Sequence, residues 1–197
     1  MRVGILALQG DVEEHEHAIR KAAAELGRSI EVVRVKKARD LGQLSALFLP
    51  GGESTTFSVL APFADRLKEG MEGGLPVFAT CAGTIFLAKA VRDAAVGATR
   101  QKVLGVLDIE VVRNAYGRQK NSFEAVLEVR GVGEVGAVFI RAPAIVRTWG
   151  QAEPLAYVDT PAFGRTAAVV SQGPHLATTF HPELSTAVLH AYFLQRL

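Results

Sequence analysis

Apolar and polar positions alternate in two different rhythms along the first half of the chain. Arg2 to Leu8 is a short apolar run rich in branched residues, the pattern of a strand buried on both faces. Asp11 stands where it can cap a helix over Val12 to Glu25, with Gly27 as the stop signal. Strands follow at Ser29 to Val35 and Ala46 to Leu49, the latter ended by Pro50-Gly51-Gly52. A helical stretch over Phe63 to Met71 stops at Gly73-Gly74. Leu75 to Thr80 then reads as a fourth strand, followed at once by a helix from Gly83 to Val91. Strand and helix in turn at this spacing require crossover connections and a parallel sheet.

The second half is poorer in helix. Asp108 to Val112, Phe123 to Val129, Ala137 to Ile140, Ala167 to Val170 and Leu176 to Phe180 are strand-like, and Ser185 to Leu197 closes the chain as a helix. No repeat or low-complexity linker divides the sequence, so residues 1–197 are expected to form one domain. The expected class is α/β, a three-layer, doubly wound, mostly parallel sheet flanked by helices. Such sheets place ligands at the carboxyl ends of their strands.

Composition narrows the function. Hydrophobic residues make up 49% of 197 and charged residues 21%, enough for a core covered on both faces. A net charge of +2, with no run of Lys or Arg beyond a pair, argues against a nucleic-acid partner. No apolar run reaches the roughly 18 residues of a membrane helix, and Met1 to Leu8 lacks a cleavage site. The chain has one cysteine, which leaves no internal disulfide and points to the cytoplasm.

That cysteine, Cys81, lies in Ala79-Thr80-Cys81-Ala82-Gly83, between an expected strand and an expected helix. A helix N-terminus favours the thiolate, and the turn aims the Ala82 N–H at the place where a tetrahedral oxyanion would form. The alternative is a small core residue, the common fate of a lone cysteine. A nucleophile needs a base. His181 stands in Phe180-His181-Pro182-Glu183, and the residue before proline is pushed into an extended conformation. Positions two apart then share a side, so Glu183 can hold one imidazole nitrogen and leave the other for a nucleophile. The same triplet can equally start a helix, with Pro182 in its first turn. His15 and His17 flank Glu16 on what reads as an exposed helix and diverge there, while His175 and His190 read as structural.

Two glycine clusters remain. Pro50-Gly51-Gly52-Glu53-Ser54 follows a strand, and its N–H groups can approach a ligand; a plain turn capped by Ser54 is the alternative. Gly131 to Gly136 has dinucleotide-fingerprint spacing, but the residues after it are strand-like, which makes it a hairpin turn.

These segments together resemble the class I glutamine amidotransferases, and within them the glutaminase subunits of pyridoxal 5'-phosphate synthases. The resemblance covers nearly the whole chain. It rests on Leu8-Gln9-Gly10, Gly51-Gly52-Glu53-Ser54-Thr55-Thr56, Thr80-Cys81-Ala82-Gly83, Arg113-Asn114 with Gly117-Arg118-Gln119, Ser122-Phe123-Glu124-Ala125, Phe139-Ile140-Arg141-Ala142-Pro143 and Phe180-His181-Pro182-Glu183-Leu184. It implies a triad of Cys81, His181 and Glu183, and a glutamine site of Gly52, Glu53, Ser54, Arg113, Ile140 and Arg141. It further implies an oxyanion site at Gly52 and Ala82, with Gln9 and Gly10 ordering that site or meeting a partner. Without the resemblance, Arg113, Arg118 and Arg141 read equally as surface charges.

The implied activity is hydrolysis of L-glutamine to glutamate and ammonia through a cysteinyl thioester, with no cofactor and no metal. The implied partner is a pyridoxal 5'-phosphate synthase subunit in a hetero-oligomer. One departure stands out: Ala79 replaces the first glycine of the usual G-x-C-x-G elbow. Competing readings are a glutaminase serving another synthase, such as one in histidine or tryptophan formation, a DJ-1/PfpI-like hydrolase or stress protein, and a non-enzymatic binding module. Members of the DJ-1/PfpI group often carry histidine directly after the cysteine, where this chain has Ala82.

Overall fold

The structure, a computed structural model, describes residues 1–52, 61–98, 101–116 and 122–197. Strands β1 (Arg2–Leu6), β2 (Glu31–Val35), β3 (Ala46–Leu49) and β4 (Val77–Thr80) lie parallel in the order β2-β1-β3-β4. The helix α1 (Val12–Glu25) follows β1, and α2 (Ala61–Glu72) precedes β4. Period-two alternation sorts the strand residues onto two faces. Val3, Ile5, Phe48 and Phe78 turn toward Ile19 and Ala22 of α1 and Leu189 and Phe193 of the last helix. Leu47, Leu49, Val77 and Ala79 turn toward Phe63, Leu67 and Met71 of α2. This is the expected three-layer arrangement. α1 ends as its sequence predicts, with the Arg28 N–H on the Ala23 carbonyl and the Gly27 N–H on the Ala24 carbonyl.

Beyond β4 the sheet departs from a purely parallel plan. After α3 (Ala82–Leu87) come β5 (Ala88–Asp93), β6 (Gly97–Ala98), β7 (Leu107–Arg113), β8 (Ser122–Val129), β9 (Gly133–Ile140), β10 (Ala144–Thr148), β11 (Glu153–Thr160), β12 (Gly164–Gln172), β13 (His175–Thr178) and α4 (Val188–Gln195). β13 joins β4 in parallel, whereas β12 joins β13 antiparallel, and β10, β7, β5 and β6 continue the path. β11 pairs with β12 off that path, and β8 and β9 form a separate hairpin. The Gly131 to Gly136 cluster lies in that hairpin's turn and the start of β9, with positive φ at Gly131 and Gly133, as its context predicts.

Two expectations are corrected here. The helix expected over Gly83 to Val91 stops at Leu87, because Ala88 turns extended and the chain from there to Asp93 pairs in parallel with β7. The C-terminal helix begins at Val188 rather than Ser185, since Pro182–Leu184 forms a 3₁₀ turn first. β10 and β11 were not foreseen from the sequence pattern.

β1, β3, β4 and β13 are mutually parallel, so their carboxyl ends meet along one edge of the sheet. The chain segments that leave those ends carry Gln9 to Asp11, Gly51-Gly52, Cys81 and His181.

Candidate active site

Cys81 is the first residue beyond β4 and the N-cap of α3, at φ 47° and ψ −104°. A residue with a Cβ rarely adopts that backbone, and holding it there costs about 1–3 kcal/mol. The conformation survives because its surroundings impose it. The Cys81 N–H donates to the Thr178 carbonyl, and Thr84 Oγ1 donates to the same oxygen and to the Ala79 carbonyl. Ala79, the departure from the elbow pattern, is fully buried among the residues that pack on α2. Its methyl group therefore fills core space and leaves the turn intact.

His181 follows β13 through two residues and is 4% exposed. Its N–H donates to the Val138 carbonyl, which ties the segment to the β8–β9 hairpin. The ring faces two ways. Nδ1 is 2.7 Å from Glu183 Oε1, and the Cys81 thiol lies close enough to the ring to make it more basic. The sulfur expected from sequence to be a nucleophile is thus in reach of the imidazole, with the carboxylate behind it. The His-Pro-Glu alternative is realised too, since Pro182 opens the 3₁₀ turn.

The structure adds a carboxylate that the sequence reading assigned elsewhere. Asp11 is the N-cap of α1, but its side chain makes no capping hydrogen bond. Its Oδ2 lies 3.0 Å from His181 Nδ1 instead. The donor atoms of Asp11, His181 and Glu183 all fall within 4.8 Å of one another, as two carboxylates sharing one N–H require. Burial alone would make His181 less basic. Hydrogen bonds to Asp11, Cys81 and Glu183 outweigh it and push its pKa up to about 12. The bond from His181 holds the Asp11 carboxyl below the usual carboxylate range. Glu183 moves the other way, because burial penalises its charge more than His181 relieves it.

A glycine lets the imidazole sit where it does. A Cβ on Gly51 would overlap His181 Cε1 and lie 3.3 Å from Cys81 Cβ. The β1 and β3 loops interlock as well. A Cβ on Gly10, at φ 79°, would run into the Gly51 carbonyl, and one on Gly52 would come within 3.1 Å of Gln9 Cδ. Gln9 and Gly10 are therefore part of the same wall as the glycine turn.

These groups open onto a cavity of about 370 Å³. Gly52 and Ala82 line it beside Cys81 and His181. Arg113, Ile140 and Arg141, expected from the resemblance to hold substrate, line its other side. Arg113 also bonds Gln101 Oε1 at 2.9 Å, and Arg141 has φ 46°, a strained backbone that fixes the direction in which the chain leaves β9. Glu53 and Ser54, with Thr55, Thr56 and Gly117 to Gln119, lie outside the described residues. Asn114 and Ile85 complete the lining and were not singled out as site residues from sequence.

His15, expected on an exposed helix, is fully buried under the site, with Nδ1 3.1 Å from His190 Nε2 and Nε2 3.3 Å from Thr80 Oγ1. His17 is exposed, as expected.

Known proteins bear on this geometry. One solved structure, described as a glutamine amidotransferase, superposes with a TM-score of 0.83 at 44% identity, covering 98% of this chain and 97% of that one. A putative GMP synthase subunit from Thermoplasma acidophilum shares the fold at 16% identity and a TM-score of 0.63. Among curated relatives, proteins named pyridoxal 5'-phosphate synthase subunit PdxT are similar end to end. The protein from Pyrobaculum neutrophilum is 55% identical, with 98% of each chain covered, and that from Pyrobaculum arsenaticum is 56% identical, with 99% of this chain and 97% of its own. The profile of the SNO glutamine amidotransferases matches residues 5–197, which takes in every segment that builds the cavity. The chain belongs to the SNO glutamine amidotransferase family.

Proposed function

We propose that the chain hydrolyses glutamine by means of Cys81, His181 and Glu183 and delivers the ammonia to a synthase partner making pyridoxal 5'-phosphate. The observation that carries this reading is one imidazole that lines the cavity beside the chain's single thiol and is hydrogen-bonded through Nδ1 to a buried carboxylate. The Cys81 sulfur attacks the side-chain amide carbon of glutamine, and the carbonyl π electrons move onto oxygen. N–H groups of Gly52 and Ala82 receive that oxyanion, each such donor being worth about 3 kcal/mol of barrier. His181 gives its proton to the departing nitrogen, which leaves as ammonia with a thioester behind. Water then adds to the thioester carbonyl, with His181 taking its proton. Glutamate leaves, and the sulfur regains its starting state.

Glu183 keeps the Nδ1 proton of His181 in place, so that Nε2 faces the chemistry. Gly52, Arg113, Ile140 and Arg141 line the cavity, and in this proposal they receive the amino-acid end of glutamine, whose α-carboxylate suits the two guanidinium groups. Glu53 and Ser54 join them in this proposal on the strength of the resemblance. Ammonia is mostly protonated at neutral pH and then is no nucleophile, which favours direct transfer within a hetero-oligomer. No helix among the described residues is long and apolar enough to cross a membrane, in keeping with a cytoplasmic place for the complex.

Glutamate release by the isolated chain, by its complex with the synthase subunit and by a Cys81→Ala complex tests the proposal. Activity is expected to rise on complex formation and to vanish in the variant; turnover surviving in Cys81→Ala removes the nucleophile assignment.

A further inference from the structure

Beneath the proposed triad lies a row of buried groups that the mechanism above leaves unused. Glu183 Oε1 faces His181 Nδ1 at 2.7 Å on one side and His15 Nε2 at 3.4 Å on the other. His15 Nδ1 in turn meets His190 Nε2 at 3.1 Å. His15, His190 and the Glu183 side chain are all 0% exposed. The row draws on α4, α1, and the segment after β13, so three elements converge to build it.

The proton positions along this row follow from its far end. His190 Nδ1 is buried with no hydrogen-bond partner. A buried N–H with no acceptor costs more than a buried lone pair with no donor, so the His190 proton belongs on Nε2. From there it points at His15 Nδ1, which must accept. The His15 proton is then on Nε2, directed at Thr80 Oγ1 with Glu183 Oε1 beside it. The opposite arrangement would set a nitrogen lone pair against a carboxylate oxygen. Both histidines are held neutral by burial, His190 down to about 3, so the row supplies an oriented dipole and no net charge.

We propose that His15 is a positioning residue for the glutaminase reaction, presenting its Nε2–H to the back of Glu183, with His190 setting the tautomer that makes this possible. This rests on the triad reading above. Its consequence is that Glu183 stays ionised and aimed at His181 in a place where burial disfavours a carboxylate. A protonated Glu183 would offer a proton to Nδ1 and move the imidazole proton to the nitrogen facing the thiol. The other titratable groups around Glu183 are His181, Asp11 on the β1–α1 loop, and Cys81 across the imidazole. Burial raises the Glu183 pKa most, His181 lowers it and Asp11 raises it further, while His15 Nε2 stands 3.4 Å away on the other side.

The test compares His15→Leu, which has no donor, with His15→Gln, which keeps an N–H near the Nε2 position. Each is assayed as a complex with the synthase subunit across pH. In His15→Leu, kcat is expected to fall about tenfold, the effect of removing an N–H dipole 3.4 Å from a buried carboxylate, while KM stays within twofold. The acid limb of the profile should move to higher pH, because Glu183 without its rear donor protonates more easily. His15→Gln should restore most of kcat and return the limb. A folded His15→Leu complex with unchanged kcat and acid limb overturns the proposal, as does equal impairment of both variants. Should His15→Leu fail to fold, ¹⁵N spectra of the histidine-labelled wild-type chain decide: Nε2–H forms of His15 and His190 support the row, and an Nδ1–H form of His15 sinks it. Failure of the glutaminase reading shows separately, as activity in Cys81→Ala.

Discussion

Gly51 lies against the ring of His181 so closely that a single methyl group on it would overlap Cε1. The imidazole is placed by what that glycine lacks as much as by its hydrogen bonds. Gly51→Ala should therefore push the ring off its line to the Cys81 sulfur. A displacement of about 1 Å in such a site costs on the order of 100-fold in rate. Glutamate release should fall by that factor. Gly42→Ala, where a Cβ meets nothing within 4 Å, should leave the rate unchanged and serves as the control.

Glu183→Gln keeps the size of the side chain but can present an N–H to His181 Nδ1. The ring then carries its proton on the wrong nitrogen. A fall in kcat on the order of 10⁴ is the known cost of this exchange in a triad. Steady-state assay of the complex checks it, with circular dichroism to show that the fold is kept.

Asp11→Asn separates the second carboxylate from the first by pH. Asp11 is depressed in the folded chain, so its contribution is present above about pH 4 and is lost as pH falls through its folded pKa. His181 is raised from 6.5 to about 12, so its contribution is full below 6.5 and is lost as pH rises through about 12. The stability gap between wild type and Asp11→Asn should thus be widest between about pH 4 and 6.5. It should close in stronger acid and narrow slowly in alkali. Urea titrations at a series of pH values measure the gap directly; one that is flat with pH would disprove the pairing.

The strained backbone at Cys81 predicts a difference between two variants that lack the thiol. Glycine adopts φ 47° freely and alanine does not. The gain is offset in part by glycine's greater freedom in the unfolded chain. Cys81→Gly should still be more stable than Cys81→Ala by about 1 kcal/mol in chemical denaturation. Equal stability would mean that the turn costs nothing to hold.

Some of this site could be read without coordinates because its signals are local. Cys81 betrays itself by sitting between a strand pattern and a helix pattern, and Pro182 sets the two-residue spacing that brings Glu183 to His181. Other parts depend on chain far away. Asp11 has the sequence context of a helix cap, and only the fold reveals that its side chain turns to a histidine 170 positions later. His15 looks exposed beside Glu14 and Glu16, yet it meets His190 across 175 positions of sequence. Ala88 to Asp93 carries good helix formers, but pairing with β7 overrides that local preference. Pro154 hid β11, since a proline within an apolar run argues against a strand except at an edge or bulge. Here the register of β11 on β12 shifts just after it.

The interlocking of Gly10 with the carbonyl of Gly51, and of Gln9 with Gly52, makes two surface loops into one mechanical part. Neither can be lengthened or given bulk without the other yielding room. The first loop, whose outer side carries Leu8 at 37% exposure, thus has no room to shift inward without meeting the Gly51 carbonyl, and Gly51 is the residue beside the imidazole.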